Sequence, residues 1–119
     1  MQVAVCSNVS ALKVVVENTL THELVHAYDH CRSQVDWSNP KDLACSEIRA
    51  ANLSGDCTFM NEVGRGHFKW KQQYQACVKR RAALSVRLAL GISDEAADSA
   101  VEEVFDRCYR DTRPFDRTP

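Results

Sequence analysis

His22 and His26 lie four residues apart, with Glu23 directly after the first, inside a stretch whose apolar positions recur at helical spacing. This feature constrains the fold before any other, because only a helix sets residues i and i+4 side by side on one face. So placed, two imidazoles can grip one cation, which commits the surrounding chain to a helix with one face turned to a site. Glu23 projects toward the open side of that site. A carboxylate there can take a proton from a metal-activated water and pass it to a leaving amine. The plainer reading is two helix-surface histidines beside a solvated Glu. Leu24 and Val25 offer the helix an anchor into a core, which favours the metal reading.

A catalytic zinc that keeps one position open to water needs three protein ligands. One zinc-peptidase arrangement places a Gly three and a His six residues after the second His; here Asp29 and Arg32 stand there, so that arrangement is excluded. Another draws a Glu from the next helix, about twenty residues on. Glu47 lies 21 residues after His26, with small Ala44, Ala50 and Ala51 around it that would let its helix approach the first closely. His30 is the rival, one further turn along. His22 and His30 are about 12 Å apart along a straight helix and converge poorly, so a supporting or substrate-side place suits His30 better. Asp29 is placed either to orient an imidazole through its N–H or to stand as an exposed helix carboxylate. His67, alone after Gly64 and Gly66, reads either as a remote stabiliser of the tetrahedral oxyanion or as an ordinary helix-start histidine.

The rest of the chain reads as one mainly α domain over residues 1–119, with no repeat, linker or low-complexity tract. Val3 and Val5 alternate weakly in Met1–Cys6, which reads as one short strand. Ser7, Asn8 and Ser10 then open a helical pattern to about Arg32, with Leu12, Val15, Val16, Leu20, Leu24, Val25 and Tyr28 on its apolar side. Asn39 as N-cap, Pro40 at the first position and Asp42 in the first turn announce a second helix, to about Leu53 and stopping near Gly55. A third runs from His67 to Leu90 and ends at Gly91. Ser93 caps the last, whose Ala97, Val101, Val104, Phe105 and Cys108 follow helical spacing, and Asp111 to Pro119 read as loop.

The formal net charge of −1 conceals three blocks. Residues 1–62 carry four basic and eight acidic side chains, residues 63–93 seven and none, and residues 94–119 four and eight. The basic block, with Lys69, Lys71, Lys79, Arg80, Arg81 and Arg87, reads either as a solvated helix face or as a surface for an anionic membrane. No nucleic-acid recognition motif accompanies it, so nucleic acid is not expected as a partner. No stretch approaches the roughly 18 uncharged apolar residues of a membrane-spanning helix. Six cysteines (Cys6, Cys31, Cys45, Cys57, Cys77 and Cys108) include no C-x-x-C pair. They are either structural disulfides of an oxidising compartment, with Cys77–Cys108 the pairing expected across the last two helices, or buried reduced thiols.

Longer blocks carry a family resemblance. Thr21–Arg32, Val35-Asp36-Trp37 and Ala44–Cys57, continued by Asn61-Glu62, His67-Phe68, Cys77-Val78 and Val101–Phe105, closely resemble the mitochondrial inner-membrane metalloproteases that process and help assemble ATP synthase. The resemblance implies a zincin-like α+β remnant: an active-site helix, a partner helix and a C-terminal helical pair. It implies one catalytic Zn2+ held by His22 and His26 with Glu23 as base, and cysteines oxidised after import. It further implies an endopeptidase of the intermembrane space, peripheral to the inner membrane, acting on the precursor of ATP synthase subunit a and assisting assembly of the membrane sector. A non-catalytic assembly chaperone of the same fold is the alternative. Members of the family carry a substantial segment before the position of Cys6, so the chain is expected to lack its N-terminal sheet segment.

Overall fold

The breakers in the sequence fall where the helices end. The computed structural model describes residues 10–58 and 70–116, and these form four helices: α1 (Ser10–Arg32), α2 (Pro40–Leu53), α3 (Trp70–Leu90) and α4 (Asp94–Arg110). The Asn39 side chain accepts from the backbone N–H of Lys41 and Asp42, and Pro40 follows at N1, so α2 starts where its free N–H groups are capped. Ser93 caps α4 by accepting from Ala96 N–H, with Asp94 and Glu95 against the positive end of the helix. Gly91, at φ +64°, ends α3 while its N–H bonds the Arg87 carbonyl. No strand occurs among the described residues. The strand expected at Met1–Cys6 lies outside them, as does the His67 end of the third helix.

Helix α2 is the centre of the molecule and touches α1, α3 and α4. Leu43, Ala44 and every residue from Ser46 to Leu53 are buried. Leu43, Ala44, Ile48 and Ala51 join Val78, Ala82 and Val86 of α3 and Ala97, Val101, Val104 and Phe105 of α4 in one core. The face toward α1 is smaller, Ala50 and Leu53 meeting Val25 of α1. Of the three small alanines expected to face the first helix, only Ala50 does so; Ala44 and Ala51 sit in the main core.

Three expectations are corrected here. The apolar side foreseen for α1 is mostly uncovered: Val15, Leu20 and Leu24 are exposed, Leu24 by 66%, and Val25 alone of the Leu24–Val25 pair anchors the helix. Cys77 and Cys108 do not pair with each other. Both face the central helix and the turn after it, so Cys108 bonds Cys45 on α2 and Cys77 bonds Cys57, with Cα–Cα distances of 5.3 and 5.8 Å. Cys31 is an exposed free thiol on α1, whereas Cys6 lies outside the described residues.

The charge blocks also find their places. Lys79 of the basic α3 pairs with Glu102 of the acidic α4 at 3.1 Å and lies over the Phe105 ring, and Arg87 pairs with Asp94 at 3.0 Å. Part of the basic block is thus consumed inside the helical pair, leaving Lys71 and Arg80 exposed. No helix among the described residues is long and apolar enough to cross a membrane.

Candidate metal centre

Helix periodicity sets His22 and His26 one turn apart on α1, with ring centroids 4.8 Å apart at 73°. The packing of Val25 on Ala50 and Leu53 holds that face against α2. Glu47 is delivered from α2 between the two rings and is 7% exposed. Its Oε1 lies 2.6 Å from His26 Nε2 and 3.6 Å from His22 Nε2, and the two Nε2 atoms are 3.2 Å apart. Three donor atoms of the right chemistry therefore close a triangle. Ligands at about 2.0–2.1 Å in tetrahedral array are separated by about 3.3 Å, so the triangle fits a zinc-sized ion after small adjustments.

The electrostatics suit a cation. Burial works against the imidazolium of His22, but hydrogen bonds and charge from Asp56 and Glu47 outweigh it and raise the group to about 9. Burial likewise works against the Glu47 carboxylate, and the two histidines overcome it, lowering the group to about 2. Without a metal, a proton on His22 balances the buried carboxylate; an arriving cation replaces it.

Each histidine turns its other nitrogen to a partner. His22 Nδ1 faces Asp56 Oδ2 at 3.7 Å, and Asp56 in turn faces Arg81 of α3 at 3.7 Å. Asp56 reaches this place because Gly55, at φ +85°, turns the chain sharply after α2. A Cβ on Gly55 would also stand 3.2 Å from Asn18 Oδ1. His26 Nδ1 lies 2.8 Å from Ser46 Oγ.

The remaining expected residues divide. Asp29 is buried at 3% exposure rather than solvated, and accepts from Ser46 Oγ at 2.8 Å and from Arg49 Nε at 3.0 Å. His30 stands apart from the triangle; its Nδ1 accepts from Trp37 Nε1 at 3.2 Å and its ring stacks on that indole. Trp37 in turn sets its edge against His26 at 5.9 Å. Glu23 is exposed, and His67 lies outside the described residues. Reading the sequence missed Ser46, Arg49 and Asp56. For Ser46 and Arg49 the available signal was a run of polar residues (Ser46, Glu47, Arg49 and Asn52) interleaved with apolar Ala44, Ile48, Ala50 and Ala51; Asp56 lies beyond that helix and carried no such signal.

Comparison with known proteins adds a family to this geometry. Residues 1–116 match the profile of the Peptidase M76 family. Among curated proteins, the chain is 50% identical over 119 residues to "Mitochondrial inner membrane protease ATP23 homolog" of Homo sapiens, covering 99% of this chain and 48% of that protein. It is 50% identical to the Xenopus laevis protein of the same name, covering 99% and 51%. To "Mitochondrial inner membrane protease ATP23" of Mycosarcoma maydis it is 52% identical over 116 residues, covering 96% and 54%. The chain thus spans about half the length of the curated relatives it matches. No solved structure matches it.

Proposed function

The chain belongs to the Peptidase M76 family, and on that premise we propose that it is the catalytic part of a zinc-dependent endopeptidase. His22, His26 and Glu47 hold the ion, and Glu23 is the general base. The observation that carries this reading is the convergence of the three donor atoms from two helices around one point. Bound zinc supplies a Lewis acid that lowers the pKa of water to about 7 and polarises a peptide carbonyl. Glu23, exposed beside His22, takes the proton of the attacking water on its carboxylate and returns it to the leaving amine. Asp56 and Ser46 hold the imidazoles in register.

The proposed setting is the intermembrane space, at the surface of the inner membrane, with the precursor of ATP synthase subunit a as substrate and assembly of the membrane sector as a second role. The relatives, named as mitochondrial inner membrane proteases, support the membrane. The disulfides Cys45–Cys108 and Cys57–Cys77 support an oxidising compartment. Leu84 and Leu88, 45% and 70% exposed on α3 near exposed Arg80, support a peripheral contact with an anionic surface.

The test compares wild type with Glu23→Gln, measuring bound zinc and cleavage of an unfolded protein substrate. Glu23→Gln keeps its zinc and loses about 10²–10⁴ in rate. Cleavage that survives at the wild-type rate removes Glu23 from the chemistry, and zinc-loaded wild type that cleaves nothing favours the assembly-chaperone reading.

A further inference from the structure

We propose that Ser46 and Asp29 are positioning residues that fix the tautomer and orientation of His26 through a directed hydrogen-bond relay; this rests on the reading of His22, His26 and Glu47 as a metal centre. The direction of the relay follows from counting protons. Asp29 meets donors on both oxygens: Ser46 Oγ on Oδ2 at 2.8 Å, Arg49 Nε on Oδ1 at 3.0 Å and Oδ2 at 3.2 Å, and Arg32 Nη2 on Oδ1 at 3.3 Å. Guanidinium groups only donate, and a carboxylate facing two of them only accepts. Ser46 has a single hydroxyl hydrogen, and Asp29 takes it. What Ser46 offers His26 is therefore a lone pair, 2.8 Å from Nδ1. Nδ1 must carry a hydrogen to meet it. That leaves Nε2, which faces Glu47 and His22, as the nitrogen for the metal.

The relay is rigid because its far end is buried. Arg49 is 1% exposed, and besides Asp29 it donates through Nη1 to the Asp111 carbonyl and through Nη2 to the Arg113 carbonyl. Ser46 is itself 2% exposed, with its hydroxyl held between the His26 ring and the Asp29 carboxylate. The orientation of His26 is thereby tied through α2 to the main chain that follows α4. His26 and Asp29 share α1, three residues apart, and the Ser46 hydroxyl of α2 bridges the ring to the carboxylate from across the seam. Loss of such an outer partner weakens metal binding by about 10–100-fold.

The experiment uses the 119-residue chain with Ser46→Ala, a change that suits a helix and removes only the hydroxyl. Zinc affinity is measured by competition with a chromophoric chelator. In zinc-loaded, 15N-histidine-labelled protein, the Nδ1–H proton of His26 is followed by NMR, a signal that a merely structural role of Ser46 would not move. Wild type binds one zinc and shows the Nδ1–H resonance protected from exchange. Ser46→Ala binds zinc about 10–100-fold more weakly, and the resonance is lost to exchange. Stoichiometric zinc in both proteins, with equal affinity and a retained Nδ1–H signal in Ser46→Ala, overturns the relay and leaves the metal centre standing. Wild type that binds no zinc overturns the metal reading beneath it.

Discussion

At the scale of single residues, the site and its support depend on a few buried charges whose partners are named by distance. Asp111 accepts from Arg32 Nη2 at 2.9 Å and Arg113 Nε at 3.0 Å, and lies 3.2 Å from Arg49 Nη1. Burial alone would raise its carboxyl, but these guanidinium groups hold it well below the usual carboxylate range. A folded-state value lowered in this way contributes stability that is present above the unfolded value of 3.8 and is lost as pH falls toward the folded one. Asp111→Asn is therefore expected to cost about 2 kcal/mol at pH 7 and progressively less below pH 4, checked by thermal melts across pH. The approach of Glu47 to His22 and His26 was legible from its spacing after His26, because the metal reading of the two histidines calls for a third donor. Ser46, Arg49 and Asp56 were not, since their meaning arises only when α2 and its following turn meet α1.

At the scale of elements, helix boundaries were the most legible part of the fold, because capping is local chemistry: Asn39, Ser93 and Gly91 act within one turn of their own backbone. Burial was less so. A helix with apolar residues at Val15, Leu20 and Leu24 reads as amphipathic, yet these three are exposed, and among the described residues the apolar seam between α1 and α2 is Val25, Ala50 and Leu53. That seam sets the separation of the histidines from Glu47. Ala50→Leu, at a position with no exposure, should force the helices apart and destabilise by about 1–3 kcal/mol. Zinc affinity should fall with it, whereas Leu24→Ala, at an exposed site on the same helix, should leave both within error; chelator competition and denaturant melts read the difference.

At the scale of the whole molecule, the opposed charge blocks become a packed pair of helices, and the cysteines become staples beside the site. Cys45 precedes Ser46 and Glu47, and Cys57 follows Asp56, so each bridge fixes a segment that carries site residues. Which cysteines pair depends on how three helices surround α2, information held in no local stretch of the sequence. Replacing Cys45 and Cys108 by Ala opens a closure of 63 residues and should cost about 2–5 kcal/mol, seen as a melting temperature lower by about 10 °C or more, with weakened zinc binding. X-ray absorption at the zinc edge, on protein loaded with one equivalent, reads directly whether two histidines and a buried glutamate make a zinc site. Only nitrogen and oxygen neighbours are expected, at about 2.0–2.1 Å, with the outer scattering of two imidazoles, one of which disappears in His26→Ala. Sulfur neighbours at about 2.3 Å, placing the ion on cysteine thiolates, would contradict such a site.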